Sequence, residues 1–171
     1  MENIFRKDFP LFDSKENEGL VYFDNAATSQ RPKCVLEAIE NFYKTANANP
    51  LRGLYRLSVR ATDLYEQARA KVASFLNAAD SSEIVFTRNA SESINLVAYA
   101  WGLSNIKEGD EIAVTAMEHH SNILPWQMVC KAKKAKLVFI ECDDFGLISK
   151  EEYQAKINSK TRLLALTQVS N

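Results

Sequence analysis

Two adjacent imidazoles, His119 and His120, follow Glu118 in the stretch 116–126 (AMEHHSNILPW), between a strand-like run at 111–115 (EIAVT) and a helix-like run. A side chain at such a corner can project from the carboxyl edge of a parallel sheet, where open α/β folds place their ligands. Imidazoles there could stack on a ring, move a proton or bind a metal. A metal would need a third and a fourth ligand, and no partner cluster is evident. The plain alternative is a structural or surface histidine.

A second group is Thr87-Arg88-Asn89-Ala90-Ser91-Glu92-Ser93, at a strand-to-helix turn. The free amides and positive dipole end of a helix N-terminus make an anion site, and Ser91 adds a hydroxyl. Phosphate binding around Ala90 and Ser91 is one reading; a simple N-cap is the other. Neither GxGxxG nor GxxxxGKS is present, so dinucleotide and P-loop sites are unsupported. The third group is Asn49-Pro50-Leu51-Arg52-Gly53, where the Arg52 guanidinium could clamp a carboxylate or phosphate, or stand solvated. The fourth is Gln168-Val169-Ser170-Asn171, a ligand-facing corner or an ordinary loop. Ser91, His119 and Asn171 each follow a strand, so one edge of the sheet is expected to gather them.

The elements that must position these groups follow from periodicity. Residues 35–43 and 58–77 read as helices, the second with an apolar stripe of Leu64, Ala68, Val72 and Phe75. From residue 83 the pattern alternates: strand 83–87, helix 90–103, strand 111–115, helix 121–134, strand 136–141, helix 149–157 capped by Ser149, strand 162–167. Such alternation implies βαβ units, and the continuous apolar strands imply a mainly parallel sheet covered on both faces. The fold class is α/β, with an N-terminal arm and helical segment over 1–80 and an α/β domain over 81–171.

Composition narrows the function classes. The chain has 171 residues, 46% of them hydrophobic, and a net charge of −1. A sizeable core is expected, and neither nucleic acid nor an anionic membrane is an indicated partner. No run has signal-peptide or membrane-helix character. The three cysteines, Cys34, Cys130 and Cys142, show no ligand or disulfide spacing, which fits packing residues in a reduced, cytoplasmic setting.

Taken in order, YFDNAATSQRP, NPLRGLYRLS, EIVFTRNASESINLVA, EHHSNILPWQ and LLALTQVSN resemble the pyridoxal-phosphate-dependent cysteine desulfurases, over residues 8 to 171. The likeness is to the class V aminotransferase fold, and within it to SUF-type (group II) desulfurases and selenocysteine lyases. The resemblance implies a partial PLP-dependent transferase (aspartate aminotransferase-like) fold, pyridoxal 5'-phosphate as cofactor and no metal. It implies that His119 stacks on the pyridine ring and assists proton transfer. Ala90 and Ser91 would form the phosphate turn, and Asn171 would contact cofactor or substrate carboxylate. Ala26 and Ala27 would flank the substrate pocket, Arg52 would reach toward substrate as part of a dimer, and Glu92 would lie at the dimer interface. Two departures stand out: Asn89-Ala90-Ser91 replaces the family's usual Gly-Thr-Thr, and Leu51 stands where many SUF-type members have His.

The implied reaction converts L-cysteine, or selenocysteine, to alanine, leaving sulfur as a protein-bound persulfide for an acceptor protein, as in iron–sulfur cluster assembly. The implied protein is a cytoplasmic homodimer. The Schiff-base lysine context and the persulfide cysteine of the family have no match in this chain. The expectation is therefore an N-terminal fragment, inactive and association-prone by itself. The alternatives are a non-catalytic remnant or partner-binding module, and another class V enzyme.

Overall fold

A computed structural model describes residues 4–170. The chain divides into two compact units, Met1–Val85 and Phe86–Asn171.

The first unit is helical. Three 3-10 turns, Arg6–Asp8, Pro10–Phe12 and Lys15–Asn17, open it. The Arg6 guanidinium stacks 4.3 Å above the Phe12 ring and donates to Leu20 O at 2.8 Å, which fixes the arm locally. Helix α1 spans Lys33–Thr45 and starts after Pro32, whose missing N–H costs nothing there. Helix α2 spans Arg56–Leu76 and ends on Asn77, which adopts the left-handed conformation common after helices.

The inner face of α2 is not the expected stripe. Leu64 is 40% and Phe75 87% exposed, whereas Ser58, Ala61 and Ala73 are buried. Polar anchoring turned the helix: Ser58 takes up the preceding loop, and Arg69 donates to Ile84 O at 2.9 Å. The expected strand 83–87 is also corrected. Ser81–Glu83 forms a 3-10 turn under an Asp80/Glu83 capping box, Ile84 is extended after it, and residues 84–87 do not form a strand among the described residues. A strand exists through its pairing, and apolar character alone does not supply that.

The second unit is the α/β part. Strands β1 (Glu111–Thr115), β2 (Lys136–Ile140) and β3 (Thr161–Ala165) form a parallel sheet in the order β2-β1-β3. The central strand reads EIAVT because Ile112, Ala113 and Val114 are fully buried. The edge strand β3 departs from the expected double-faced burial: its exposure alternates, and Leu164 stays 36% exposed. Arg162 is the odd residue in the β1–β3 register, since Glu111 pairs Thr161 and Ile112 pairs Leu163. Its guanidinium meets Asp110 at 3.1 Å.

Helix α3 (Ala90–Val97) runs through a π turn (Ala98–Gly102) into the short α4 (Leu103–Asn105). Helix α5 spans Leu124–Lys133, and α6 spans Lys150–Lys156 behind an N-cap at Ser149. Ala98, Ile106, Ile112, Val114, Trp126 and Val129 are core residues packed as one cluster. Gly102 lies so close to α5 that a Cβ there would sit 3.1 Å from Val129 Cγ2. Among the described residues, no helix is long and apolar enough to cross a membrane.

Candidate functional site

The carboxyl end of β1 is organised by one carboxylate. Glu118 Oε1 accepts the Thr115 hydroxyl at 2.6 Å and the Thr167 backbone amide at 2.6 Å. Glu118 Oε2 accepts from Asn122 Nδ2 at 2.8 Å, and Asn122 Oδ1 accepts the Trp126 indole N–H at 2.9 Å. The chain ends after β1 and β3 are therefore tied together and to α5. Hydrogen bonds to a carboxylate are stronger than neutral ones, so this corner is stiff.

On that corner His119 caps the 3-10 turn His120–Asn122. Its Nδ1 accepts the Ser121 amide at 3.1 Å and lies 2.9 Å from Ser121 Oγ. Ser121 Oγ in turn is 2.6 Å from Ser91 Oγ. Both imidazoles are exposed, and their rings meet edge to face with centroids 6.2 Å apart.

Ser91 sits in the first turn of α3. Asn89 caps that helix by accepting the Glu92 amide at 3.0 Å. Asn95 Nδ2 donates to Ser91 O at 2.8 Å, and the Thr87 and Ser93 hydroxyls meet at 2.6 Å. The amides of Ala90 and Ser91 precede the first intrahelical donors and are left for an external acceptor. Glu92 would oppose an anion at this end, but its carboxylate is occupied by the Arg88 amide at 2.6 Å and the Arg88 guanidinium at 3.2 Å. A hollow of about 330 Å³ adjoins these residues, lined by Ser91, Asn95, His120, Ser121, Pro125 and Met128. The donors suit an oxyanion at α3, and the imidazole that lines the hollow is His120, with His119 in edge-to-face contact with it.

Of the residues expected at the site, Ala90, Ser91 and His119 are thus brought together in the second unit. Asn171 lies outside the described residues; its neighbour Ser170 donates to Met117 O at 2.9 Å, on the β1 corner. The remaining residues belong to the first unit. Ala26 and Ala27 are exposed on a turn closed by Thr28 N donating to Asp24 O at 3.0 Å. Arg52 is exposed on a loop pinned on both sides. Leu51 N donates to Thr62 Oγ1 at 2.8 Å, Gly53 N donates to Ser58 Oγ at 3.1 Å, and Ser58 Oγ donates to Asn49 O at 2.6 Å.

Among the described residues, no three His, Cys, Asp or Glu side chains gather as a metal site. Cys130 is buried and its thiol is pushed up to about 11 by desolvation, in keeping with packing; Cys34 is exposed on α1 instead. Sequence reading named Glu118 beside the histidines without a role for it and passed over Ser121, Ser58 and Thr62. A serine two residues after His119 is a local capping signal, but the 30-residue link from Ser121 to Ser91 has none.

A family model for aminotransferase class-V matches residues 21–171. A probable cysteine desulfurase of Synechocystis sp. is 51% identical over 167 residues, covering 97% of this chain and 40% of that protein. A probable cysteine desulfurase of Staphylococcus aureus is 48% identical over 166 residues, with 96% and 40% covered. Among solved structures, an apo cysteine desulfurase from Thermococcus onnurineus superposes with a TM-score of 0.87 at 46% identity, covering 97% of this chain and 40% of that one. The chain spans about two fifths of the length of these proteins.

Proposed function

We propose, for a chain that belongs to the aminotransferase class-V family, that it is the cofactor-phosphate and ring-stacking part of a pyridoxal-phosphate-dependent cysteine desulfurase. The observation that carries this reading is the hydrogen-bonded run Ser91–Ser121–His119, which puts the start of α3 beside an exposed imidazole. That donor set fits a phosphorylated aromatic group, and cysteine desulfurase relatives at 46 to 51% identity support the assignment. A solved relative bound to cysteine supports the substrate.

When bound, pyridoxal phosphate supplies an electron sink for the amino acid. This chain's residues do the rest of the positioning. The Ala90 and Ser91 amides and the Ser91 hydroxyl hold phosphate oxygens at the positive end of α3. His119 covers the ring and, through Nε2, holds or moves a proton beside it. By the family resemblance, Ala26 and Ala27 would flank the substrate pocket, Arg52 would reach toward substrate as part of a dimer, and Asn171 would contact cofactor or substrate carboxylate. The whole protein acts as a cytoplasmic homodimer passing sulfur to an acceptor protein, as iron–sulfur assembly requires. The lysine and the cysteine that complete the reaction have no counterpart among these 171 residues, so this stretch alone is inactive.

The test uses the longest natural protein containing this sequence. Cofactor affinity is followed by visible absorbance, and alanine formed from cysteine by chromatography. Ser91→Ala is expected to weaken cofactor binding on the order of tenfold, the worth of one hydrogen bond to a charged group. His119→Ala is expected to lower alanine formation with the cofactor still bound. Wild-type protein that neither takes up pyridoxal phosphate nor forms alanine would refute the assignment. So would variants indistinguishable from wild type.

A further inference from the structure

The contacts around Ser121 carry a consequence for the imidazole. His119 Nδ1 accepts the Ser121 amide proton at 3.1 Å, so it bears no proton itself. In the neutral ring the proton is then on Nε2. The Ser121 hydroxyl, 2.9 Å from the same Nδ1, can only donate to it. With its proton so directed, Ser121 Oγ must accept from Ser91 Oγ at 2.6 Å. With Nδ1 as the acceptor, the run reads in one direction: Ser91 donates to Ser121, and Ser121 donates to His119.

We propose that Ser121 is a positioning residue that sets the tautomer and rotation of His119 and couples both to the Ser91 turn. It touches neither cofactor nor substrate in this reading, which rests on the role proposed above for His119. Two contacts from one residue, an amide and a hydroxyl, converge on a single ring nitrogen. They leave Nε2–H as the only proton the neutral imidazole can offer to a ring or amino acid beside it. The Ser91 hydroxyl has one proton, shared between Ser121 and any anion at α3. An anion that draws this proton away leaves Ser121 Oγ without its donor. Occupancy of the phosphate turn thereby reaches His119 without any movement of the backbone.

Long-range proton–nitrogen NMR spectra of the longest natural protein containing this sequence, labelled with 15N at histidine and free of cofactor, test this. His119 is expected as a single Nε2–H tautomer, with an Nδ1 signal displaced upfield by hydrogen bonding. Ser121→Ala retains the amide contact and loses the hydroxyl; its Nδ1 signal is expected to move downfield toward the unbonded position. Ser121→Thr is expected to restore the wild-type position. Ser91→Ala, which leaves the Ser121 donor in place, is expected to move Nδ1 less than Ser121→Ala does. An Nδ1–H tautomer in the wild type overturns the proposal, and so does a His119 signal unchanged by Ser121→Ala. Because no cofactor or activity enters the measurement, such a failure leaves the desulfurase assignment standing, and the converse holds too.

Discussion

The Glu118 carboxylate accepts the backbone amide of Thr167 at 2.6 Å, across 49 residues of sequence. This one contact joins the end of central strand β1 to the end of edge strand β3. It also explains why an acidic residue precedes the histidines: a carboxylate can accept at both oxygens, here from Thr115, Thr167 and Asn122.

Glu118→Ala should therefore be among the costlier single changes in the second unit. Removing it leaves the Thr167 amide and the Asn122 amide group without acceptors, a loss of about 3 kcal/mol. Glu118→Gln keeps one acceptor oxygen and should lose about 1 kcal/mol. Denaturant unfolding followed by Trp fluorescence gives both values; equal stability of Glu118→Ala and wild type would contradict the clamp.

Gly53→Ala should loosen the loop that carries Arg52. A Cβ at Gly53 would fall on Ser58 Oγ and lie 2.8 Å from Tyr55 Cε1, and Ser58 is fully buried. The collision displaces the hydroxyl that receives Gly53 N and serves Asn49 O. The expected cost is about 1–3 kcal/mol, as for other overpacked sites. Limited proteolysis should show faster cleavage within 49–54, and an unchanged cleavage rate would argue against this anchoring.

Acid should unfasten β3. The Lys107 amide, foremost, and the Arg162 guanidinium hold the Asp110 carboxyl below its ordinary value of 3.8. A carboxyl depressed in the folded state stabilises above its unfolded value, and the benefit fades as pH falls through the folded one. Wild-type melting temperature should thus fall more steeply than that of Asp110→Asn below about pH 4. Parallel pH profiles of the two proteins would count against it.

Thiol reactivity should follow burial. Cys34 is exposed, whereas Cys130 is buried with its thiol raised to about 11. Alkylation at pH 8 should label Cys34 first and Cys130 only on unfolding, because the thiolate is the nucleophile. Mass spectrometry of partly labelled protein reads the order directly, and early labelling of Cys130 would overturn it.

These relationships divide into those a sequence displays and those it conceals. The run EIAVT announced a central strand because a strand covered on both faces must be apolar throughout. Ser149 announced the start of α6 because its hydroxyl accepts the Glu152 amide, three residues on. His119 and Ser91 were visible as corners for the same local reasons. Concealed were the contacts set by distance in space. The buried face of α2 was decided by Ser58 and Arg69 finding backbone partners, against the apolar stripe. The run Glu83–Thr87 has strand composition and does not form a strand among the described residues. Ser121 read as the first residue of helix 121–134, whereas it lies in the 3-10 turn before Leu124 and its hydroxyl serves both His119 and Ser91.

The π turn at Ala98–Gly102 is the least legible of these features, since AYAWG reads as ordinary helix. Its wide loop, closed by the Leu103 amide on Ala98 O, inserts one residue into the winding. Every side chain beyond it is thereby out of phase with those before it. Segment 90–105 thus makes two contacts on either side of the widened turn's start. Its beginning is aimed so that Ser91 meets Ser121, and its end so that Gly102 abuts Val129. The extra residue is the gear between chemistry at one end of the segment and packing at the other.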